Sequence, residues 1–129
     1  MSEQKLRDRR ILVVEDEYLI ADDMRIALLD AGAKVLGPAP TVDAAMALVA
    51  AQPDLDGALL DINLKGTMVF ELADALKGRA VPFVFATGYD ETAIPTRFSG
   101  VPLMEKPLKV ADLISVLGPL LRNREMTIS

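Results

Sequence analysis

Residues 11–17 read Ile11-Leu12-Val13-Val14-Glu15-Asp16-Glu17, four aliphatic residues in a row followed by three carboxylates. A short unbroken apolar run of this kind suits a strand covered on both faces, as in a parallel sheet. Directly after it Leu19, Ile20, Met24, Ala27, Leu28 and Ala31 recur at steps near 3.6, which gives one apolar helix face that Gly32 terminates. A strand passing straight into a helix is the opening of a βαβ unit, and the same alternation continues along the chain.

Val35-Leu36 is a short second strand closed by the breaker-rich Gly37-Pro38-Ala39-Pro40, and Thr41 is placed to cap a helix running to about Ala51. Gly57 to Leu60 is strand three. Val69, Leu72, Ala73 and Leu76 mark a third helix ended by Gly78, and Val81 to Ala86 is strand four, with Pro82 at its tolerant beginning. The stretch Asp90 to Ser99 is the place for a fourth helix, but Pro95 interrupts it and its apolar pattern is thin, so that helix is weak: short or frayed. Val101 to Met104 is strand five. Lys109 to Leu121 is the last helix, with Val110, Leu113, Ile114 and Leu117 on one face, and Gly118-Pro119 kinks or ends it. Five strands alternating with five helices, right-handed at each crossover, specify an open doubly wound α/β sheet. The expected layout is an N-terminal arm over 1–9, one domain over 10–122 and a C-terminal tail over 123–129.

Composition narrows the chemistry. With 129 residues, 51% hydrophobic and 26% charged, the chain fits one ordinary globular domain. It has neither cysteine nor histidine, which removes disulfides, thiolate and imidazole metal sites, and every nucleophile pair that relies on an imidazole base. Carboxylates, hydroxyls and lysine remain. A net charge of −5 argues against general nucleic-acid binding, and the cluster Lys5, Arg7, Arg9 and Arg10 reads as a solvated arm. No apolar stretch approaches the roughly 18 residues of a membrane span, so the expected location is the cytoplasm.

Four of the apolar runs end on a polar residue: Val14 leads into Glu15-Asp16, Leu60 into Asp61, Ala86 into Thr87, and Met104-Glu105 into Lys106. Strand two has no such residue. In a parallel sheet these ends share one edge, where open α/β folds form their sites. Taken singly, Asp61 reads as a turn or capping residue, Thr87 as a loop hydroxyl and Lys106 as a solvated charge. Their joint position favours a site. Three crowded carboxylates raise one another's pKa unless a cation neutralises them, and the all-oxygen set Glu15, Asp16 and Asp61 suits Mg2+. A carboxylate so held can attack phosphorus, with Lys106 as the ammonium that neutralises developing charge and Thr87 as a hydroxyl that bonds a phosphoryl oxygen.

Val-Val-Glu-Asp-Glu (13–17), Leu-Leu-Asp-Ile-Asn-Leu (59–64), Phe-Ala-Thr-Gly-Tyr (85–89) and Glu-Lys-Pro (105–107) together resemble the response-regulator receiver family of two-component signalling, over roughly Arg10 to Arg122. The resemblance implies a flavodoxin-like sheet in the order 2-1-3-4-5. It makes Asp61 the phosphoacceptor, Glu15 and Asp16 the acidic pair for Mg2+, the Asn63 backbone carbonyl a further metal ligand, Thr87 the switch hydroxyl and Lys106 the phosphate-binding lysine. A cis bond before Pro107 is implied too. The sequence departs from the family at Leu103, where an aromatic usually stands, so the family's threonine–aromatic coupling does not carry over. It departs again at Lys65, which replaces the usual proline.

Phe85-Ala86-Thr87-Gly88 instead resembles a single-domain subgroup that carries this signature and works with histidine kinases of the HWE or HisKA2 classes. The implied protein is a stand-alone receiver, cytoplasmic and not an enzyme beyond its own phosphorylation and dephosphorylation. It is a monomer or weak dimer whose partners are a sensor histidine kinase and a downstream protein or phosphotransferase. Two alternatives stay open: a degenerate receiver serving as a binding scaffold, and an aspartate-nucleophile phosphatase. The latter's haloacid-dehalogenase type needs a second acid where Asn63 stands. Tyr89 either shields the phosphoryl group or is a half-buried loop aromatic. The segment Asp90 to Gly100 is expected to be the mobile, switching one.

Overall fold

The apolar runs pair as parallel strands in the computed structural model, which describes residues 5–88 and 94–128, the side chains of 110 and 122–128 excepted. The strands are β1 (Arg10–Val14), β2 (Lys34–Ala39), β3 (Gly57–Asp61), β4 (Asn63–Leu64), β5 (Thr67–Met68), β6 (Phe83–Thr87) and β7 (Leu103–Glu105). The helices are α1 (Tyr18–Asp30), α2 (Val42–Ala51), α3 (Phe70–Gly78) and α4 (Val110–Ile128). Five strands make one sheet in the order β2-β1-β3-β6-β7, all parallel. In chain order of these five that is 2-1-3-4-5, the flavodoxin-like topology.

Alternation within the central strands sorts the core into two layers. Leu12 and Val14 of β1, Leu60 of β3 and Phe83 and Phe85 of β6 face the layer holding Ala45 and Val49 of α2 and Leu72 and Leu76 of α3. Ile11, Val13, Leu59 and Val84 face the other, with Met24 and Leu28 of α1 and Leu113, Leu117 and Leu121 of α4. Each such side chain withdrawn from water contributes about 1.5–3 kcal/mol, so these central runs, bordered on both faces, carry much of the fold's stability. All four phenylalanines lie on the first side: Phe98 stacks on Phe70 at 5.8 Å between centroids and meets Phe85 and Phe83 edge-on at 5.7 and 6.1 Å.

Several elements differ from the sequence reading. Strand β2 continues through Gly37-Pro38 to Ala39 rather than stopping before them. It is an edge strand, where a proline's missing N–H costs no ladder bond, and it absorbs the disruption as a register shift between Leu12 and Val14. Gly37 sits at φ 95°, and a Cβ there would meet the Val13 carbonyl oxygen at 2.8 Å, so only glycine fits the shift.

Helix α4 runs on through Gly118-Pro119 to Ile128 instead of ending near Leu121, docked on either side of the proline by buried Leu117 and Leu121. The expected tail from 123 is therefore helical through Ile128. The N-terminal arm is charged but not wholly solvated. Leu6 is fully buried in the second layer, and its N–H donates to the Ala31 carbonyl at 2.9 Å.

The fourth helix is the weak element expected. Among the described residues of that segment only a single 3-10 turn, Thr96–Phe98, is present. The rest of that expectation, with Tyr89, lies outside the described residues. The described end of the segment is pinned: Phe98 is buried among the other rings, and Arg97 donates two hydrogen bonds to Asp74 of α3, at 2.8 and 3.0 Å.

Candidate functional site

Each polar residue that ends an apolar run is delivered to the same sheet edge. Glu15 and Asp16 follow β1, Asp61 is the last residue of β3, Thr87 the last of β6, and Lys106 follows β7. β2 contributes none, so the site lies over the centre of the sheet, beside β1 and β3 where the strand order reverses. The geometry is fixed by the backbone: the Lys106 N–H donates to the Thr87 carbonyl at 2.8 Å and the Ile62 N–H to the Ala86 carbonyl at 3.1 Å.

Glu15 and Asp61 are the buried charged residues here, at 2% and 5% exposure. The Lys106 ammonium lies 2.6 Å from Glu15 Oε1 and 3.2 Å from Asp61 Oδ1. The second Glu15 oxygen accepts from the Glu17 N–H at 3.1 Å, and Asp61 Oδ1 accepts from the Asn63 N–H at 3.4 Å. The helix α1 N-cap, Glu17, makes no capping bond with its side chain, and its backbone N–H is the donor to Glu15. Two carboxylates thus share one ammonium and the cluster is short of positive charge. Burial, opposed by Lys106 and reinforced by the Asp61 charge, pushes the Glu15 carboxyl up to about 7. Burial likewise raises Asp61 against the pull of Lys106. Burial works to lower the Lys106 ammonium, yet the two carboxylates outweigh it and hold it raised.

One oxygen each from Glu15, Asp16 and Asp61 falls within a 4.8 Å cluster. Hard oxygen donors with surplus negative charge, open to water on one side, fit a divalent cation that retains waters, as Mg2+ does. The pocket above them has a volume of about 290 Å3, and Asn63, Thr87 and Gly88 line it with the charged residues. A second, mostly apolar hollow of about 380 Å3 adjoins it between α1 and the start of α4, sharing Glu17, Gly88 and Lys106.

All the predicted site residues that the structure describes gather here except one. Leu103, at the start of edge strand β7, is half exposed and lines neither hollow. The Lys106–Pro107 bond is cis, as the resemblance implies, and Pro107 lines the apolar hollow. Sequence reasoning missed Glu17, and it missed that Lys65 and Gly66 reach the pocket mouth. Only Gly66 signalled the latter: glycine suits the second position of a two-residue hairpin turn, whereas lysine is not among the residues favoured at the first.

No family model matches the chain, and no curated protein does. Among solved structures, 177 chains match. SdrG from Sphingomonas melonis Fr1 is 36% identical with a TM-score of 0.79, the match covering 88% of this chain and 97% of that one. SdrG in a BeF3-activated conformation matches at 36% identity and a TM-score of 0.73, over 94% and 99% of the two chains. The N-terminal domain of a response regulator/sensory box/GGDEF protein from Carboxydothermus hydrogenoformans is 27% identical, with a TM-score of 0.78 over 94% of this chain and all of that one. The response regulator PhyR from Brucella abortus is 25% identical at a TM-score of 0.77, over 96% of this chain but 53% of that one.

Proposed function

The chain belongs to the response-regulator receiver family, and from that premise we propose that it accepts a phosphoryl group on Asp61 and switches protein contacts in response. The observation that carries this reading is the meeting of buried Glu15 and Asp61 with the Lys106 ammonium at 2.6 and 3.2 Å on one sheet edge. Burying two carboxylates side by side with one ammonium is costly, and a bound cation would offset that cost.

In the proposed step an Asp61 carboxylate oxygen forms the new bond to phosphorus. The bond from phosphorus to the donor breaks, a P–N bond for a phosphohistidine or a P–O bond for acetyl phosphate, and the donor leaves with that electron pair. Lys106 neutralises charge on the phosphoryl oxygens, and the Thr87 hydroxyl donates a hydrogen bond that exists only once the phosphoryl group is in place. Glu15, Asp16, Asp61 and the Asn63 carbonyl would hold Mg2+, which when bound supplies charge neutralisation at the transferring group. Thr87 is joined through its carbonyl to the Lys106 amide, so a movement of one strand end is felt by the other.

The proposed donor is a sensor histidine kinase, and the Phe85-Ala86-Thr87-Gly88 likeness supports one of the HWE or HisKA2 class. The output is a contact with a downstream protein or transfer of the phosphoryl group to a phosphotransferase, in the cytoplasm, by a monomer or weak dimer. Support for a switching rather than a scaffolding role comes from SdrG, which adopts a BeF3-activated conformation. Against a phosphatase of the haloacid-dehalogenase type stands Asn63, where that chemistry needs an acid.

Intact-mass analysis after incubation with Mg2+ and acetyl phosphate tests the reading on wild type and Asp61→Asn. One added phosphoryl mass, absent in the variant, is the expected result. An equal gain in both proteins places the nucleophile elsewhere and overturns it.

A further inference from the structure

The strands β4 and β5 form a hairpin immediately after the phosphoacceptor, paired Asn63 to Met68 and Leu64 to Thr67. Its two turn residues, Lys65 at φ 52° and Gly66 at φ 92°, both occupy the left-handed region, as a two-residue type I′ turn requires. Gly66 needs no lack of a side chain for space, since a Cβ there would meet nothing within 4 Å; its φ is the reason for glycine. Lys65 has no such excuse. An L-residue other than glycine, asparagine or aspartate in this region is disfavoured, and such residues persist where the surroundings hold them.

The hold is visible. Asn63 Oδ1 accepts from the Gly66 N–H at 2.6 Å, and the Val69 N–H donates to the Ile62 carbonyl at 2.9 Å across the hairpin base. Ile62, Leu64 and Val69 bury themselves beneath it. A firmly seated turn thus carries an exposed lysine to the mouth of a pocket whose other charged walls are Glu15, Asp16, Glu17, Asp61 and Lys106.

We infer that Lys65 is a positioning residue that draws anionic phosphodonors to the pocket mouth and weighs against cation binding there. The inference rests on the phosphoacceptor reading of Asp61. An acidic pocket repels an anionic donor, and one ammonium at its entrance offsets part of that repulsion before Lys106 is reached. The same charge opposes a divalent cation, so the two effects of removing it have opposite signs.

The test compares wild type, Lys65→Gln and Lys65→Arg, variants that share the backbone preference and differ in charge. At saturating Mg2+ and low ionic strength, Lys65→Gln is expected to slow acetyl phosphate labelling roughly three- to ten-fold, with Lys65→Arg close to wild type and the gap closing at high salt. By calorimetric titration Lys65→Gln binds Mg2+ more tightly than wild type. If Lys65→Gln labels at the wild-type rate, or Lys65→Arg is as slow as Lys65→Gln, the inference fails while the Asp61 reading stands. If wild type takes up no phosphoryl group while Asp61→Asn behaves the same, both fail together.

Discussion

The Lys106 ammonium lies 2.6 Å from Glu15 Oε1, so a residue following the edge strand β7 closes a charge cluster begun at the end of β1. Removing it leaves Glu15 and Asp61 buried against each other. At pH 8 without metal, Lys106→Met is expected to lose about 3 kcal/mol of folding stability, and Mg2+ to restore most of it. Urea denaturation with and without Mg2+ checks this; an unchanged midpoint would show that the ammonium is not the counter-charge.

The Glu15 carboxyl, raised by burial to about 7 from 4.5, gives the metal-free protein a pH dependence of definite sign. Between those values the folded chain binds more protons than the unfolded one, so stability falls as pH rises through that window. Stability from this group is fully present below about 4.5 and lost above about 7. Glu15→Gln, which cannot ionise, is expected to flatten the fall. Denaturant midpoints measured from pH 5 to 8 would reject the idea if the two proteins traced parallel curves.

Phe98 anchors the short segment ahead of β7. Phe98→Ala is expected to cost about 3–5 kcal/mol, since it empties a site shared with three rings. Arg97→Ala removes an exposed clamp to Asp74 and the guanidinium that lies 4.6 Å over the Phe98 ring, but leaves that ring in place. That variant should exchange the Ser99 and Val101 amides faster while its global unfolding stays unchanged. Slow exchange in both variants would mean that the turn is held by something else.

Leu6 gives a plainer test. Leu6→Ala is expected to destabilise by about 3 kcal/mol, whereas Arg7→Ala, exposed beside it, should change little. Equal thermal midpoints for the two variants would contradict the packing.

The sheet and most of the site were legible because the central strands β1, β3 and β6 are dense apolar runs, and Glu15, Asp16, Asp61, Thr87 and Lys106 stand at or just past strand ends; the two-residue strands β4 and β5 carry no such run. Thr41 likewise announced α2, and its Oγ1 accepts from the Ala44 N–H at 3.1 Å. The failures have separate causes. Gly37-Pro38 is a breaker in a central strand but not at a sheet edge, and edge position is a property of the whole topology. Leu6 stood alone among charges with no periodic partner, so nothing local distinguished it from solvated neighbours. Pro119 did not end α4 because burial of Leu117 and Leu121 decides the matter, and that too is tertiary. Lys65 was noticed as a departure, but only the hairpin shows which way it is carried.

The segregation of the phenylalanines has a spectroscopic consequence. Aromatic ring currents displace the resonances of nearby methyl groups, and every phenylalanine belongs to the layer of α2 and α3. Methyls of Leu60, Leu72 and Leu76, which share that layer, are therefore expected to be shifted by the rings more than those of Leu28, Leu113 and Leu117 on the opposite layer. The protein contains its own shift reagent, mounted on one side of the sheet and centred on Phe98. A methyl spectrum would report rearrangement of that side without any added label.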